Sequence, residues 1–277
     1  MIILSSLYND SIAFDIDTFY YNIVNDIYNH GEEVYGTKEI NNYRATLCNI
    51  DQNVINIRGL SKRYMAAELL WYLCGRNDVA FISKYASLWG RISDDGKTNN
   101  SAYGYILQKK HGFNQIEKII ELLKTDLLSR RAVLNINVPN KDVIETKDEM
   151  CTICLQFLVR DGRLNCTVVM RSNDCITGTV YDVTYFTLIQ KYIADALGLE
   201  YGEYVHIGIS LHLYERHYNK AVEIIEKYEA GLKDEQPFTI DHNNLFAHYE
   251  EAMIDVEQNG ITPEDAFYKY KIYKDIN

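Results

Sequence analysis

The sequence predicts an α+β layered fold, and three observations carry that expectation. Apolar residues recur at helical spacing in several separate segments. Alternation marks strands between them, most plainly on either side of Asp161-Gly162. The two patterns mix without the regular strand–helix–strand rhythm of a doubly wound protein.

Phe19, Ile23 and Ile27 define a first helix that starts near Asp17 and stops at Gly31. Residues between Tyr43 and Ile57 alternate weakly and are read as strands. Ser61 is a natural N-cap for an apolar helix over Tyr64 to Leu73, closed by Gly75. Gly90 to Gly104 is rich in Ser, Asp, Asn and Gly and is read as a loop, of a length that usually serves function or motion. Ile116, Ile119, Ile120, Leu123 and Leu127 mark an amphipathic helix, and Ala132 to Val138 a strand that stops at Pro139. Thr152 to Arg160 and Leu164 to Met170 form a hairpin, because Asp-Gly suits a tight turn. A helix over Tyr185 to Leu197 ends at Gly198, and Tyr204 to Ile209 is a strand. The tail carries helices at His217–Tyr228 and after Thr262-Pro263, where proline fits the first helical position. No repeat, low-complexity tract or linker divides residues 1–277, which are read as one domain.

With 28 Lys+Arg against 39 Asp+Glu, the net charge is −11, which argues against non-specific DNA binding. A small anionic substrate needs only a few placed arginines and stays compatible. The start, Met1-Ile-Ile-Leu-Ser-Ser, shows no secretory signal, and no apolar run is long enough to cross a membrane. Cys48, Cys74, Cys151, Cys154, Cys166 and Cys175 are read as thiols rather than a disulfide framework.

Cys151-Thr-Ile-Cys154 has metal or dithiol spacing, but a second ligand pair is missing and the pair enters a strand. It is read either as two core cysteines or as one nucleophile, which needs a cation beside it. Ser129-Arg130-Arg131 is either a solvated pair after a helix or a phosphate clamp. Arg171-Ser172-Asn173-Asp174, before Gly178, is either a turn or an oxyanion site. His212 and Tyr214 share one face of an extended segment. Glu68 interrupts an apolar helix; it either faces solvent or sits where its proton matters.

The order of these motifs resembles the thymidylate synthase superfamily from about Lys38 to His217. Ala67-Glu68-Leu69-Leu70-Trp71-Tyr72-Leu73-Cys74-Gly75 is similar to the family's His-Glu-Leu-Leu-Trp-Phe-Leu-x-Gly helix. Leu88-Trp89 and Ala102-Tyr103-Gly104 resemble Ile-Trp and Val-Tyr-Gly. Ser129-Arg130-Arg131, Cys151 before Gln156-Phe157, and Arg171-Ser172-x-Asp174 match further signatures, and Val205-His206 with His212-Leu213-Tyr214 matches a ribose-binding segment. Where thymidylate synthases carry Asn to read uracil, this chain has Asp182, which suits the amine and ring nitrogen of cytosine. Asp182, Thr152 after Cys151, and Asn100-Ser101-x-Tyr103-Gly104 resemble phage deoxycytidylate hydroxymethylases within that superfamily.

The resemblance implies a mixed sheet flanked by helices and a homodimer through the sheet face, with residues 1–277 as a single catalytic domain. It implies 5-hydroxymethylation of dCMP with 5,10-methylenetetrahydrofolate and no metal, in the cytoplasm of a phage-infected or bacterial cell, without contact to nucleic acid or membrane. Cys151 would be the nucleophile and Arg171 would lower its pKa. Glu68, Tyr103 and Asp174 would assist, and Asp182 would read the base. Arg130, Arg131, Arg171 and Ser172 would hold phosphate, the arginine pair reaching across the dimer. His212 and Tyr214 would hold the sugar, and Trp89 and Asp174 the folate. The family's N-terminal phosphate-binding Arg is absent; Lys38 takes preference over Arg44 as its replacement. The chain ends at Tyr273-Lys-Asp-Ile-Asn277, without the hydrophobic tail thymidylate synthases close over folate. The alternatives are dCMP 5-methylation, a CMP hydroxymethylase, a thymidylate synthase proper, which Asp182 suits poorly, and a silent nucleotide-binding protein, which Cys151, Glu68 and Arg171 together argue against.

Overall fold

The structure is a computed structural model that describes residues 10–137 and 144–276. Val138, Pro139 and the first six residues, on which expectations were placed, lie outside them. The chain runs β1 (Asp10–Ala13), α1 (Ile16–His30), β2 (Glu32–Val34), β3 (Thr37–Leu47), α2 (Lys62–Leu73), α3 (Val79–Ile82), α4 (Leu88–Ile92), α5 (Tyr103–Gln108) and α6 (Gln115–Thr125). It continues through β4 (Val133–Asn135), β5 (Thr152–Arg160), β6 (Arg163–Met170), β7 (Asn173–Asp174), α7 (Thr179–Leu197) and β8 (Glu200–Tyr214). It closes with α8 (Tyr218–Glu229), β9 (Phe238–Ile240), α9 (His242–Gln258), α10 (Pro263–Lys269) and β10 (Tyr273–Asp275).

Among the described residues, eight strands form one mixed sheet in the order β1-β3-β8-β6-β5-β4, with β2 beside β3 and β7 beside β8. β1 runs parallel to β3 and β6 parallel to β8, while β3–β8, β5–β6 and β4–β5 are antiparallel. The β5–β6 turn has positive φ at both Asp161 and Gly162, 50° and 75°, the geometry that matches strand twist. Helices bury one face of the sheet. Phe19 of α1 packs on Tyr204 of β8, the Tyr43 hydroxyl donates to Asp26 at 2.6 Å, and Gln190 of α7 donates to the Leu164 carbonyl at 2.9 Å. Burial alternates along the strands accordingly. Leu155, Phe157, Val168 and Met170 are fully enclosed, while Cys154, Leu158, Val169 and Ile207, on the other face, are half-buried.

Several helix ends follow local chemistry. Asp15, Ser61 and Thr262 accept from the N–H three residues on, and Gly198 takes the left-handed conformation that closes α7. Three differences have physical reasons. The chain leaves the sheet at Leu47 rather than continuing to Ile57, because buried Asn53 and Asn56 bond the backbone of β9 instead. α7 begins at Thr179, six residues before the apolar run that announces it, so that Asp182 lies in its first turn. α9 escaped the periodicity reading, because Glu250 and Glu251 interrupt its apolar positions; Asp241 caps it.

Candidate active site

The β5–β6 hairpin places Cys151 and Arg171 side by side. Thr152 pairs with Met170, and the Arg171 N–H donates to the Cys151 carbonyl at 2.8 Å. The guanidinium donates to the carbonyls of Met150 and Glu149, both at 2.9 Å, which leaves Nη2 3.9 Å from the Cys151 Sγ. The thiol is nonetheless shifted up, not down. Burial penalises the thiolate more than Arg171 favours it, and Asp182, Asp148 and Glu149 add to the upward push. Arg171 pulls the thiol's pKa down, and desolvation outweighs that pull.

Two carboxyl groups close the cleft. α2 is buried from Met65 to Leu73, and Glu68 is buried with it. The Tyr64 hydroxyl donates to it at 2.5 Å, and Trp89 Nε1 donates to Tyr64 at 3.0 Å. Burial pushes Glu68 up to about 8, against the opposing hydrogen bond from Tyr64. Asp182 is half-buried and accepts from the Asn173 amide at 3.0 Å. Burial raises it to about 7, with the Asn173 bond opposing. The Asp182 charge acts on Glu68, Cys151 and Tyr103, so these side chains share one low-dielectric space.

Two glycines permit this assembly. A Cβ on Gly104 would lie 1.8 Å from the Tyr72 carbonyl oxygen, so only glycine lets α5 approach α2 and stack Tyr103 on Tyr72, ring centroids 5.5 Å apart. A Cβ on Gly178 would press on the Asn173 amide and the Asp174 carbonyl, both at 3.2 Å.

Asp182 ends a buried polar chain. Asn173 Oδ1 faces the Thr179 hydroxyl and, at 3.2 Å, His206 Nε2, whose Nδ1 lies 2.9 Å from the Tyr204 hydroxyl. His206 therefore belongs to this chain and not with a ribose-facing pair. Burial holds its pKa down at about 4, so it is neutral. Sequence reasoning assigned no role to Asn173, Thr179, Tyr204 or Tyr64; a histidine inside the apolar run Tyr204-Val-His-Ile was the available signal. Asp148 was missed as well. It accepts from the Ser101 N–H at 3.2 Å and the Asn99 amide at 3.3 Å, tying the loop before Tyr103 to the segment before Cys151.

The remaining expected residues divide. His212 and Tyr214 meet edge to face at 5.0 Å, and Asp174 pairs with His212 across β7–β8. Asp174 accepts from the Ile176 N–H at 2.8 Å and from the Thr177 N–H and hydroxyl, so it builds the turn into α7. Ser172 is half-buried beside Arg171. Arg130 and Arg131 are exposed, Arg131 lying 3.7 Å from Asp126. Lys38 is a correction. It sits opposite Leu213, out of phase with His212 and Tyr214, and donates to the Tyr28 carbonyl at 2.6 Å between the rings of Tyr28 and Tyr218. Arg44, the other candidate, pairs with Asp10 at 3.0 Å. Trp89 is half-buried, with its N–H engaged by Tyr64 and its ring against Trp71.

The sequence model of thymidylate synthase matches residues 18–260. The chain belongs to the thymidylate synthase family. It is 36% identical over 204 residues to a deoxyuridylate hydroxymethyltransferase of Bacillus phage SP01, covering 68% of this chain and 53% of the relative. It is 35% identical over 186 residues to a deoxyuridylate hydroxymethyltransferase of Pseudomonas phage M6, covering 61% of this chain and 53% of the relative. The chain thus spans about half the length of these curated relatives. No helix among the described residues is long and apolar enough to cross a membrane.

Proposed function

We propose that the protein is a folate-dependent 5-hydroxymethyltransferase acting on dCMP. The observation that carries this reading is the half-buried Asp182, with a single donor on one oxygen and a raised pKa, at the position where the family reads the pyrimidine ring. Cytosine offers a ring acceptor beside an amine donor. A carboxyl group that keeps its proton near neutrality complements both, by donating through one oxygen and accepting through the other. The relatives' names support hydroxymethyl transfer over methyl transfer. They also favour a second reading, in which the substrate is dUMP, and Asp182 is the residue that opposes it.

Cys151 acts as the nucleophile at pyrimidine carbon 6, which makes carbon 5 reactive. The phosphate of a bound nucleotide lies against Arg171 and Ser172, and Arg171 offsets the thiolate's charge as attack begins. His212 and Tyr214 contact the sugar. Methylenetetrahydrofolate, when bound, supplies a one-carbon unit at the oxidation level of formaldehyde. Trp89 offers it an aromatic face, not a donor, and Asp174 orders the loop beside it through the turn it builds. Glu68, protonated at rest, exchanges protons with the ring and with water through the Tyr64 hydroxyl. Tyr103 lies within electrostatic reach of the thiol and assists at the ring. The overall change takes dCMP, the one-carbon unit and water to 5-hydroxymethyl-dCMP and tetrahydrofolate.

A homodimer through the exposed sheet face belongs to the same reading. Cys154, Leu158, Val169, Ile207 and Ile209 leave an apolar strip on the face away from the helices among the described residues, and Ile209 is 41% exposed. The exposed Arg130 and Arg131 then reach the phosphate of the second copy. Sedimentation should give twice the chain mass, and a monomer would remove this part. The activity is tested by incubation with methylenetetrahydrofolate and dCMP, CMP or dUMP, with mass spectrometry of the nucleotide. Hydroxymethyl-dCMP without dihydrofolate is expected. Methyl-dCMP with dihydrofolate, or a product from dUMP alone, would overturn it.

A further inference from the structure

A neutral carboxyl group alone is a poor discriminator of cytosine from uracil. It has one donor oxygen and one acceptor oxygen, and the proton can sit on either. With the proton opposite the ring nitrogen it complements cytosine. With the proton moved to the other oxygen it complements uracil equally well. If Asp182 reads the base, something must hold its proton on one side.

The buried chain behind it does this. The direction of the hydrogen bonds is set at the far end. The Tyr204 hydroxyl is fully buried and, among the described residues, has His206 Nδ1 as its partner at 2.9 Å; of the two possible directions, donation by the hydroxyl is the one that leaves no buried O–H unpaired. His206 is neutral and therefore carries its one proton on Nε2, which donates to Asn173 Oδ1 at 3.2 Å. The Thr179 hydroxyl donates to the same oxygen. With the His206 Nε2–H on its carbonyl, the Asn173 amide cannot flip without leaving that donor unpaired in the interior, although the Thr179 hydroxyl could turn to the Asp174 carbonyl at 3.4 Å. Its NH₂ must face Asp182 Oδ2, at 3.0 Å. Oδ2 is then held as an acceptor, and any proton on the carboxyl sits on Oδ1. The other titratable groups that act on or feel this carboxyl are Glu68, Cys151, Tyr72, Tyr103 and Tyr204; none of them donates a hydrogen bond to Oδ2.

We propose that Asn173, oriented by Thr179 and the Tyr204–His206 pair, is the positioning group that makes Asp182 selective for one pyrimidine, by fixing which carboxyl oxygen accepts. The proposal rests on the reading of Asp182 as the base-contacting residue. With Oδ1 turned to the ring nitrogen and Oδ2 to the 4-substituent, a carboxyl held this way fits a base whose 4-substituent donates and whose ring nitrogen accepts. Tyr204, His206 and Thr179 touch no substrate; they act through Asn173.

The test compares kcat/KM for dCMP and dUMP in the wild type, Asn173→Ala, His206→Phe, His206→Gln and Tyr204→Phe, with a thermal melt of each. The dCMP-to-dUMP ratio should fall about 10- to 100-fold in Asn173→Ala and His206→Phe, the scale of one mispaired buried group. Tyr204→Phe should lower it less. His206→Gln, which keeps a donor and an acceptor, should restore most of it. A lesion that only loosens the fold would lower both substrates together. The wild-type protein supplies a check that needs no variant: nitrogen-15 NMR of His206 should show a proton on Nε2 and none on Nδ1. The opposite tautomer, or an unchanged ratio in all variants, overturns the inference. Wild-type preference for dUMP overturns instead the reading of Asp182 as a cytosine contact. Preference for dCMP with ratios unmoved by the variants leaves that reading standing and removes only the relay.

Discussion

Two sets of carboxylates in this molecule are treated in opposite ways. Asp148 sits in a loop and Asp174 at the end of β7, and both collect backbone N–H donors, Asp148 from Ser101 and Asp174 from Ile176 and Thr177. Glu68 and Asp182 sit in helices, where the backbone N–H groups are already used, and each has one side-chain donor. Donors replace water for the first set. Burial without enough donors raises the second set to about 8 and about 7. The contrast separates architecture from chemistry: a carboxylate saturated with N–H bonds shapes a turn, and an undersupplied one in a cleft holds a proton for use.

The comparison is sharpened first by removing the group the cleft serves. Cys151→Ala should lower turnover by about 10⁴-fold or more, as loss of a nucleophile does in other enzymes. Initial rates with dCMP measure it, and near-normal rates would leave the cleft without its chemistry. Glu68→Gln keeps the shape and removes the proton. It should lower kcat by about 10²- to 10⁴-fold while nucleotide binding, followed by calorimetry, changes little. Asp148→Ala probes the other set. It leaves the buried N–H and hydroxyl of Ser101 without their partner and should destabilise the fold by about 1–3 kcal/mol in a denaturant titration. A lower kcat in folded Asp148→Ala protein, with unchanged stability, would erase the distinction.

The smallest expected effect is in the pH dependence of stability. The folded-state pKa values of Glu68 and Asp182 lie above their ordinary values of 4.5 and 3.8. Between those limits the folded state binds more protons than the unfolded one, so stability falls as pH rises. Their contribution is fully present below about pH 4 and is lost as pH passes about 7 for Asp182 and about 8 for Glu68. Melting curves across this window should therefore be flatter in Glu68→Gln and Asp182→Asn than in the wild type. Equal slopes would mean that neither carboxyl holds its proton in the folded protein.

Much of this was legible in the sequence. The caps at Ser61 and Thr262, the Asp161-Gly162 turn and the Gly198 stop are local rules, and they place α2, α10, the β5–β6 hairpin and the end of α7. The hairpin in turn brings Cys151 to Arg171. What the sequence hid depends on contacts between distant segments. Asn53 and Asn56 end a strand by bonding residues near 240, and Tyr64 matters because Trp89 reaches it. Lys38 was misplaced because its value as a cation says nothing about strand phase. Its neighbours Tyr28 and Tyr218 lie on the helix side of β3. The raised thiol at Cys151 shows the same limit: a cation in sequence order is visible, and the desolvation that outweighs it is not.

The central claim is that Asp182 reads cytosine. The most direct measurement is kcat/KM for dCMP and dUMP, side by side, in the wild type and in Asp182→Asn. The account predicts that the wild type prefers dCMP, and that Asn at this position reverses the preference, since an amide can accept from the uracil N–H and donate to its carbonyl. A wild type that prefers dUMP, or an Asp182→Asn protein with unchanged preference, would contradict it.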